Sequence, residues 1–165
     1  MKLTFIGPQG CGKGTQAELL SKEFNIPMYS AGELLREEKK KNTTLGKKIA
    51  SLIDKGNLVP AEIIYKLIKE KIKDKEDYII DGFPRDMSQV RISEDIKFDK
   101  AIYLRISDKV AVERLSGRQN CRNCGSTYHL TFKKPKVSGK CDKCGGELYT
   151  REDDTEKAIK KRLKI

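Results

Sequence analysis

Gly7-Pro8-Gln9-Gly10-Cys11-Gly12-Lys13-Gly14-Thr15 sits between a short apolar run, Lys2–Ile6, and an amphipathic stretch, Gly14–Glu23. Strand, glycine-rich turn, Gly-Lys and helix form the context of a phosphate-binding P-loop. Glycines let the backbone curl so that several N–H groups converge on one anion. The helix N-terminus behind the turn adds partial positive charge, and Lys13 adds a full one. The usual pattern places Ser or Thr directly after the lysine. Here Gly14 intervenes and the hydroxyl belongs to Thr15.

Outward from this stretch, strands and helices alternate. Asn25–Tyr29 reads as a short extended piece. Ser30 reads as the N-cap of a helix from Ala31 to about Lys41, with Glu33 completing a capping box. Thr44 to Lys55 reads as a helix with Leu45, Ile49, Leu52 and Ile53 on one face and Gly56 as its stop. Pro60 opens a third helix carrying Ile63, Ile64, Leu67, Ile68 and Ile72. Tyr78–Ile80 and Ala101–Leu104 read as strands, and Asp108–Ser116 as a helix. This alternation implies a mainly parallel sheet flanked by helices. Ligands in such sheets bind beyond the carboxyl ends of the strands, where the P-loop, Asp81 and the segment after Leu104 all fall.

With 165 residues the chain has room for one α/β unit and a small insert. Its net charge of +11 suits a polyanionic partner, yet much of the lysine excess lies on helical stretches such as Lys39–Lys41 and Lys66–Lys75, as solvated faces do. No apolar run approaches the roughly 20 residues that cross a membrane, and Met1 leads straight into the first strand, so a cytoplasmic protein is expected. Five cysteines in that setting point to metal or free thiols.

Four of those cysteines are Cys121-x2-Cys124 and Cys141-x2-Cys144, with sixteen residues between the pairs. Two such pairs predict a closed four-thiolate structural Zn²⁺ site on two tight turns, helped by Gly125 and Gly145. A redox pair, the rival reading, needs no second pair. His129 lies inside the insert but is superfluous as a ligand. Cys11, in the P-loop, is read as a small filler.

Taken in order, several segments resemble the adenylate kinases, and more narrowly their long-lid, zinc-bearing form. These are Gly7-x-x-Gly10-x-Gly12-Lys13-Gly14-Thr15-Gln16, Ser30–Arg36, Gly56-x-Leu58-Val59, Asp81-Gly82-Phe83-Pro84-Arg85, Arg114 to Arg118, the four-cysteine insert and Thr150-Arg151-x-Asp153-Asp154. Gly14 after the lysine is itself what that family shows. The resemblance implies a P-loop NTPase fold with a helical flap for the nucleoside monophosphate (NMP) and a zinc-ribbon-like lid. Its divisions are core 1–29, flap 30–59, core 60–118, lid 119–150 and a core helix 151–165. It implies Mg²⁺-dependent phosphoryl transfer, ATP + AMP to 2 ADP.

The resemblance also assigns roles. Lys13, Arg85, Arg118, Arg151 and Arg162 are implied to be catalytic. Gly10, Cys11, Gly12, Lys13, Gly14, Thr15, Arg114, Arg118 and Tyr128 are implied to bind ATP. Ala31, Arg36, Asn57, Leu58, Val59, Gly82, Arg85, Gln89, Arg151 and Arg162 are implied to bind AMP, with Gln89 reading the base. Asp81 is implied to hold water on Mg²⁺. Arginine suits such a site because its planar fork grips two phosphate oxygens at once. The lid keeps water from the transferring group, and Zn²⁺ makes it rigid.

Two departures carry expectations of their own. Ala31 stands where the family often has threonine, which implies a relaxed choice of acceptor base. The chain stops at Leu163-Lys164-Ile165 where the family continues, which implies a C-terminally shortened core with lower stability and weaker donor binding. A kinase for another nucleoside monophosphate is the nearest alternative. A zinc-bearing nucleic-acid-binding protein, or a fragment that only binds nucleotide, is the second; aromatics are few at 7%, with no stacking platform evident, so nucleic acid is not an expected partner. ATP and AMP are the expected partners, with no membrane and a monomeric state.

Overall fold

The first strand, β1 (Lys2–Ile6), lies inside a four-stranded sheet in the order β2-β3-β1-β4, with β2 Met28–Ser30, β3 Tyr78–Asp81 and β4 Lys100–Tyr103. Every pairing in it is parallel, with Lys2 beside Tyr78, Ser30 beside Asp81 and Leu3 beside Lys100. The computed structural model describes residues 1–55, 57–152 and 154–163, and of Arg162 the backbone only. They fall into two compact units, Met1–Arg105 and Ile106–Ile165.

In the first unit, side-chain alternation along the strands gives the sheet two apolar faces. Tyr78 and Ile80 point to one side, where they meet Ala31, Leu34, Ile64, Ile68 and Ile72. Ile79 points to the other, with Leu3, Phe5, Ala17 and Ile26. Helix α1 (Lys13–Phe24) therefore covers one face and α4 (Ala61–Ile72) the other. Burying both faces is what a parallel sheet requires. The i, i+4 spacing of Ile64, Ile68 and Ile72 places all three on the buried side of α4.

Between β2 and α4 lie α2 (Ala31–Lys40) and α3 (Thr44–Ile53). Ile49 is fully buried, whereas Leu45 is exposed, so the α3 stripe is narrower than its pattern suggests. The Thr43 hydroxyl caps α3 by accepting from Gly46 N at 3.0 Å. Gly46 must lack a side chain, because a Cβ there would lie 2.3 Å from Lys41 O. Gly56, the expected stop of α3, lies outside the described residues.

The capping box expected at Ser30 and Glu33 does not form. Ser30 is the N-cap by position, but its side chain makes no cap hydrogen bond; its hydroxyl lies 3.4 Å from Asp81 Oδ2. The strand register decides this, since Ser30 and Asp81 are direct neighbours at the ends of β2 and β3. A short helix, α5 (Met87–Ile92), follows β3; Asp86 caps it by accepting from Gln89 N.

The second unit holds α6 (Asp108–Ser116), a three-stranded antiparallel sheet and α7 (Glu156–Leu163). The sheet runs β6-β5-β7, with β5 Arg118–Cys121, β6 Thr127–His129 and β7 Leu148–Tyr149. Leu115 of α6 and Ile159 of α7 are fully buried. Among the described residues, no helix is long and apolar enough to cross a membrane.

Candidate active site and metal centre

The P-loop leaves β1 at its carboxyl end and turns into α1. Gly7, Gly10 and Gly12 all take positive φ there. At Gly7 the need is also steric, because a Cβ would stand 2.2 Å from Leu104 O, just past the end of β4. The Lys13 ammonium folds back over the loop and donates to Gly7 O at 2.8 Å and Pro8 O at 2.7 Å. The Cys11 thiol is buried, 3.6 Å from Lys13 Nζ, which fits a filler of the loop. Burial pulls the Lys13 ammonium below its ordinary pKa, opposed by Cys11 and Asp81. A cation so desolvated gains strongly from an anion placed beside it.

Asp81 ends β3 next to this loop. Its Oδ1 is buried and has no hydrogen-bond partner among the described residues. Burial pushes its carboxyl up from the usual carboxylate value, against the opposing pull of Lys13, Arg85, the Ser30 hydroxyl and Arg36. Gly14 explains the departure from the usual P-loop: a Cβ there would lie 3.2 Å from Asp81 Oδ2. The small residue leaves the carboxylate room. An orphaned buried carboxylate oxygen beside a phosphate loop fits hydrated Mg²⁺, which keeps most of its waters. Thr15 is exposed.

The loop after β3 is fixed by Thr4 Oγ1, which donates to Phe83 O at 2.6 Å. Gly82, at φ +77°, lets Arg85 fold over it, and Arg85 Nε donates to Gly82 O at 2.8 Å. Arg36 folds likewise over Gly32, where a Cβ would meet its Nη1 at 3.2 Å. Gln89 is buried, and its Oε1 accepts from Arg85 N at 2.9 Å. That bond orients the amide so that its Nε2 is the side available to a ligand. Ala31 and Val59 are buried, Leu58 is half-buried and Asn57 is exposed. Lys13, Asp81, Arg85 and Arg36 thus form one electrostatic group within the first unit.

Arg114, Arg118, Arg151, Tyr128 and the four cysteines belong to the second unit. Arg114 is exposed on α6, and Arg151 is half-buried ahead of α7. Arg118 forms a two-pronged pair with Asp154, Nε to Oδ2 at 2.9 Å and Nη2 to Oδ1 at 2.7 Å. The Arg162 side chain lies outside the described residues. Tyr128 is buried in the lid, where its hydroxyl accepts from Asp142 N at 2.8 Å and faces Cys141 Sγ at 3.5 Å. That hydroxyl is committed to contacts within the second unit.

The four Sγ atoms of Cys121, Cys124, Cys141 and Cys144 all lie within 4.8 Å of one another. The Cys121–Cys144 and Cys124–Cys141 separations are 3.4 and 3.5 Å. Zn–S bonds of about 2.3 Å in a tetrahedron need sulfur edges of about 3.8 Å, so the cluster fits Zn²⁺ after a small expansion. Each pair sits on a matching knuckle: Gly125 N donates to Cys121 O at 3.1 Å, and Gly145 N to Cys141 O at 2.8 Å. Both glycines take φ of +70°. The Tyr128 hydroxyl is the main cause that lowers the Cys141 thiol to about 6, toward the thiolate a metal requires.

His129 is no ligand. Its Nδ1 accepts from Thr131 N at 3.0 Å and Phe132 N at 3.1 Å, and its Nε2 faces Glu113 O at 3.3 Å. The ring packs over Gly117, where a Cβ would come within 2.5 Å of it. Sequence reasoning missed Ser30 and Asp154 as partners of predicted site residues. The adjacent acids Asp153-Asp154 were visible, but which arginine one of them holds was not.

Comparison with known proteins shows the family. The family model described as adenylate kinase matches residues 5–165. The adenylate kinase of Caldicellulosiruptor bescii is 46% identical over 100% of this chain and 81% of its own length. That of Methanocella arvoryzae is 45% identical over 100% of this chain and 81% of its own, and that of Archaeoglobus fulgidus 42% over 100% and 80%. With the P-loop, the orphaned Asp81 oxygen and the four-thiol lid in one chain, the protein belongs to the adenylate kinase family.

Proposed function

We propose the following division of labour for the family's reaction, the reversible Mg²⁺-dependent conversion of ATP and AMP to two ADP. The chain catalyses this transfer, and little covalent work falls to the protein; alignment and positive charge are what lower the barrier. The backbone amides of Gly10, Cys11, Gly12, Gly14 and Thr15 hold the ATP phosphates together with Lys13. A nucleotide's phosphates would draw the Lys13 ammonium off the carbonyls of Gly7 and Pro8. Arg114 and Arg118 assist on the donor side, with the strand around Tyr128.

Arg36 and Arg85 hold the AMP phosphate. Ala31, Asn57, Leu58, Val59 and Gly82 line its nucleoside, and Gln89 reads its base. Arg118 and Arg151 bridge donor and acceptor, and Arg162 joins Arg151 on the AMP side. Asp81 holds a water of the cation. Mg²⁺, when bound, supplies charge neutralisation between the phosphates of ATP. Zn²⁺ in the Cys121, Cys124, Cys141 and Cys144 cluster is structural and fixes the lid.

The same reading divides the chain into core 1–29, flap 30–59, core 60–118, lid 119–150 and a last core segment 151–165, whose described helix is Glu156–Leu163. It assigns the protein to the cytoplasm as a monomer. Four cysteines arranged for a metal rather than for disulfides support a reducing compartment.

The observation that carries the proposal is the grouping of Lys13, Asp81, Arg85 and Arg36 around the P-loop. The experiment that tests it is a set of single variants at these four positions, assayed for ADP formation with ATP and AMP varied separately. Lys13 and Asp81 variants are expected to impair use of MgATP, and Arg36 and Arg85 variants to impair use of AMP. A second acceptor reading has its own support. Gln89 presents an amide N–H, and position 31 offers no hydroxyl, so base choice rests on few polar groups.

A further inference from the structure

Ser30 is the junction between the sheet and the flap, ending β2 where α2 begins. A serine at an N-cap ordinarily accepts a hydrogen bond from the backbone two or three residues on. This one makes no such bond. Its Oγ is turned across the sheet to Asp81 Oδ2, at 3.4 Å. The pairing of β2 with β3 sets the two residues side by side, so the contact is fixed by backbone register. Gly14 lies close to the same oxygen, since a Cβ added there would come within 3.2 Å of it. Oδ2 is thus bounded by Ser30 and Gly14, while Oδ1 is buried without a partner among the described residues.

We propose that Ser30 is a positioning residue: its hydroxyl donates to Asp81 Oδ2 and so fixes the carboxylate plane, leaving Oδ1 for a water of the Mg²⁺ shell. At 3.4 Å the bond is longer than the O–H···O⁻ optimum of about 2.6 Å. Such contacts shorten when charge arrives at the site. The arrangement has a second consequence. Ser30 is also the residue on which α2 begins, so the proposed cation side and acceptor side of the site share one side chain. With its hydroxyl turned to Asp81, Ser30 leaves the first-turn N–H groups of α2 without a side-chain cap.

The inference rests on the proposed cation role of Asp81, and the test separates the two. Binding of a bisubstrate analogue, two adenosines joined through five phosphates, is measured by calorimetry with Mg²⁺ and with EDTA. This is done for the wild-type chain, Ser30→Ala, Ser30→Thr and Asp81→Asn. The Mg²⁺-linked gain in affinity is expected to fall about three- to tenfold in Ser30→Ala, the range of one hydrogen bond, with affinity in EDTA unchanged. Ser30→Thr, which keeps a hydroxyl, is expected to restore the gain.

Equal losses with and without Mg²⁺ would overturn the proposal, because Ser30 would then merely support the flap. An intact gain in Ser30→Ala beside a diminished one in Asp81→Asn would overturn it while sparing Asp81. An intact gain in Asp81→Asn would overturn the cation role itself, and the proposal with it.

Discussion

Arg118 and Asp154 clasp each other through two parallel hydrogen bonds, 2.9 Å from Nε to Oδ2 and 2.7 Å from Nη2 to Oδ1. Arg118 opens β5 and Asp154 precedes α7, so the pair joins the two chain ends that flank the metal-bearing insert. The Asp154 side chain is fully buried and that of Arg118 is 18% exposed. Removing one member strands the other in a desolvated place. Asp154→Ala is expected to cost about 2–3 kcal/mol, toward the lower side for a buried pair because Arg118 reaches some solvent. Thermal unfolding should register this as a melting temperature lower by roughly 5–10 °C. An unchanged melting temperature would mean the clasp is ornamental.

The lid should depend on its metal. Its buried cluster among the described residues is small: Cys121, Tyr128, Cys141 and Leu148. So little apolar burial does not fold a three-stranded sheet by itself. Cys121→Ser or Cys144→Ser is expected to abolish one equivalent of bound Zn²⁺ and to expose the lid to proteolysis, with the first unit intact. Substitution by Co²⁺ should give the absorption of a tetrahedral thiolate site. An octahedral spectrum would contradict the closed four-sulfur assignment.

Asp81 should trade stability for function. Its carboxyl is pushed up from 3.8, chiefly by burial, despite Lys13, Arg85, the Ser30 hydroxyl and Arg36. The folded state therefore binds the proton more tightly than the unfolded state. Stability linked to this group falls as pH rises from 3.8 through the raised value, and the cost persists at neutral pH. Asp81→Asn removes it. The variant is expected to melt at or above the wild-type temperature at pH 7 while turnover drops on the order of 10²-fold. A variant that melts lower would show that the surrounding cations need the carboxylate more than burial penalises it.

The acceptor panel should follow hydrogen-bond chemistry. Arg85 N takes one lone pair of Gln89 Oε1, which leaves the amide Nε2 to donate to a base bound as proposed. Adenine N1 and cytosine N3 accept there, whereas guanine N1 and uracil N3 carry a hydrogen. AMP is expected to be preferred, CMP to be the better second acceptor, and UMP and GMP to be poor. Ala31→Thr should lower KM for AMP by about two- to tenfold if the new hydroxyl finds the base. Preference for UMP over CMP would refute this orientation of Gln89.

Much of this site was legible because its signals are local. The P-loop announces itself through glycines at fixed spacing between an apolar strand and a helix, and β1 and α6 lie where the pattern puts them. The cysteine pairs announce the metal because tight-turn chelation dictates their spacing. What stayed hidden depends on distant partners. Ser30 reads locally as a capping box with Glu33, yet its hydroxyl belongs to a residue 51 positions away. Helix α5 is six residues long, too short to show a period, and only the Asp86 cap marks it. The lid strands are two to four residues each, and the thiol cluster rather than alternation orders them. Tyr128 gives no sign in sequence that its hydroxyl is held by Asp142 N.

The most direct measurement is coupled ADP formation from ATP and AMP by this 165-residue chain, zinc-loaded, with and without Mg²⁺, beside Lys13→Met. The account expects turnover that needs both AMP and Mg²⁺ and that falls at least 10²-fold in the folded Lys13→Met variant. Turnover indifferent to Lys13, or a folded and zinc-bound protein that makes no ADP from AMP, would contradict it.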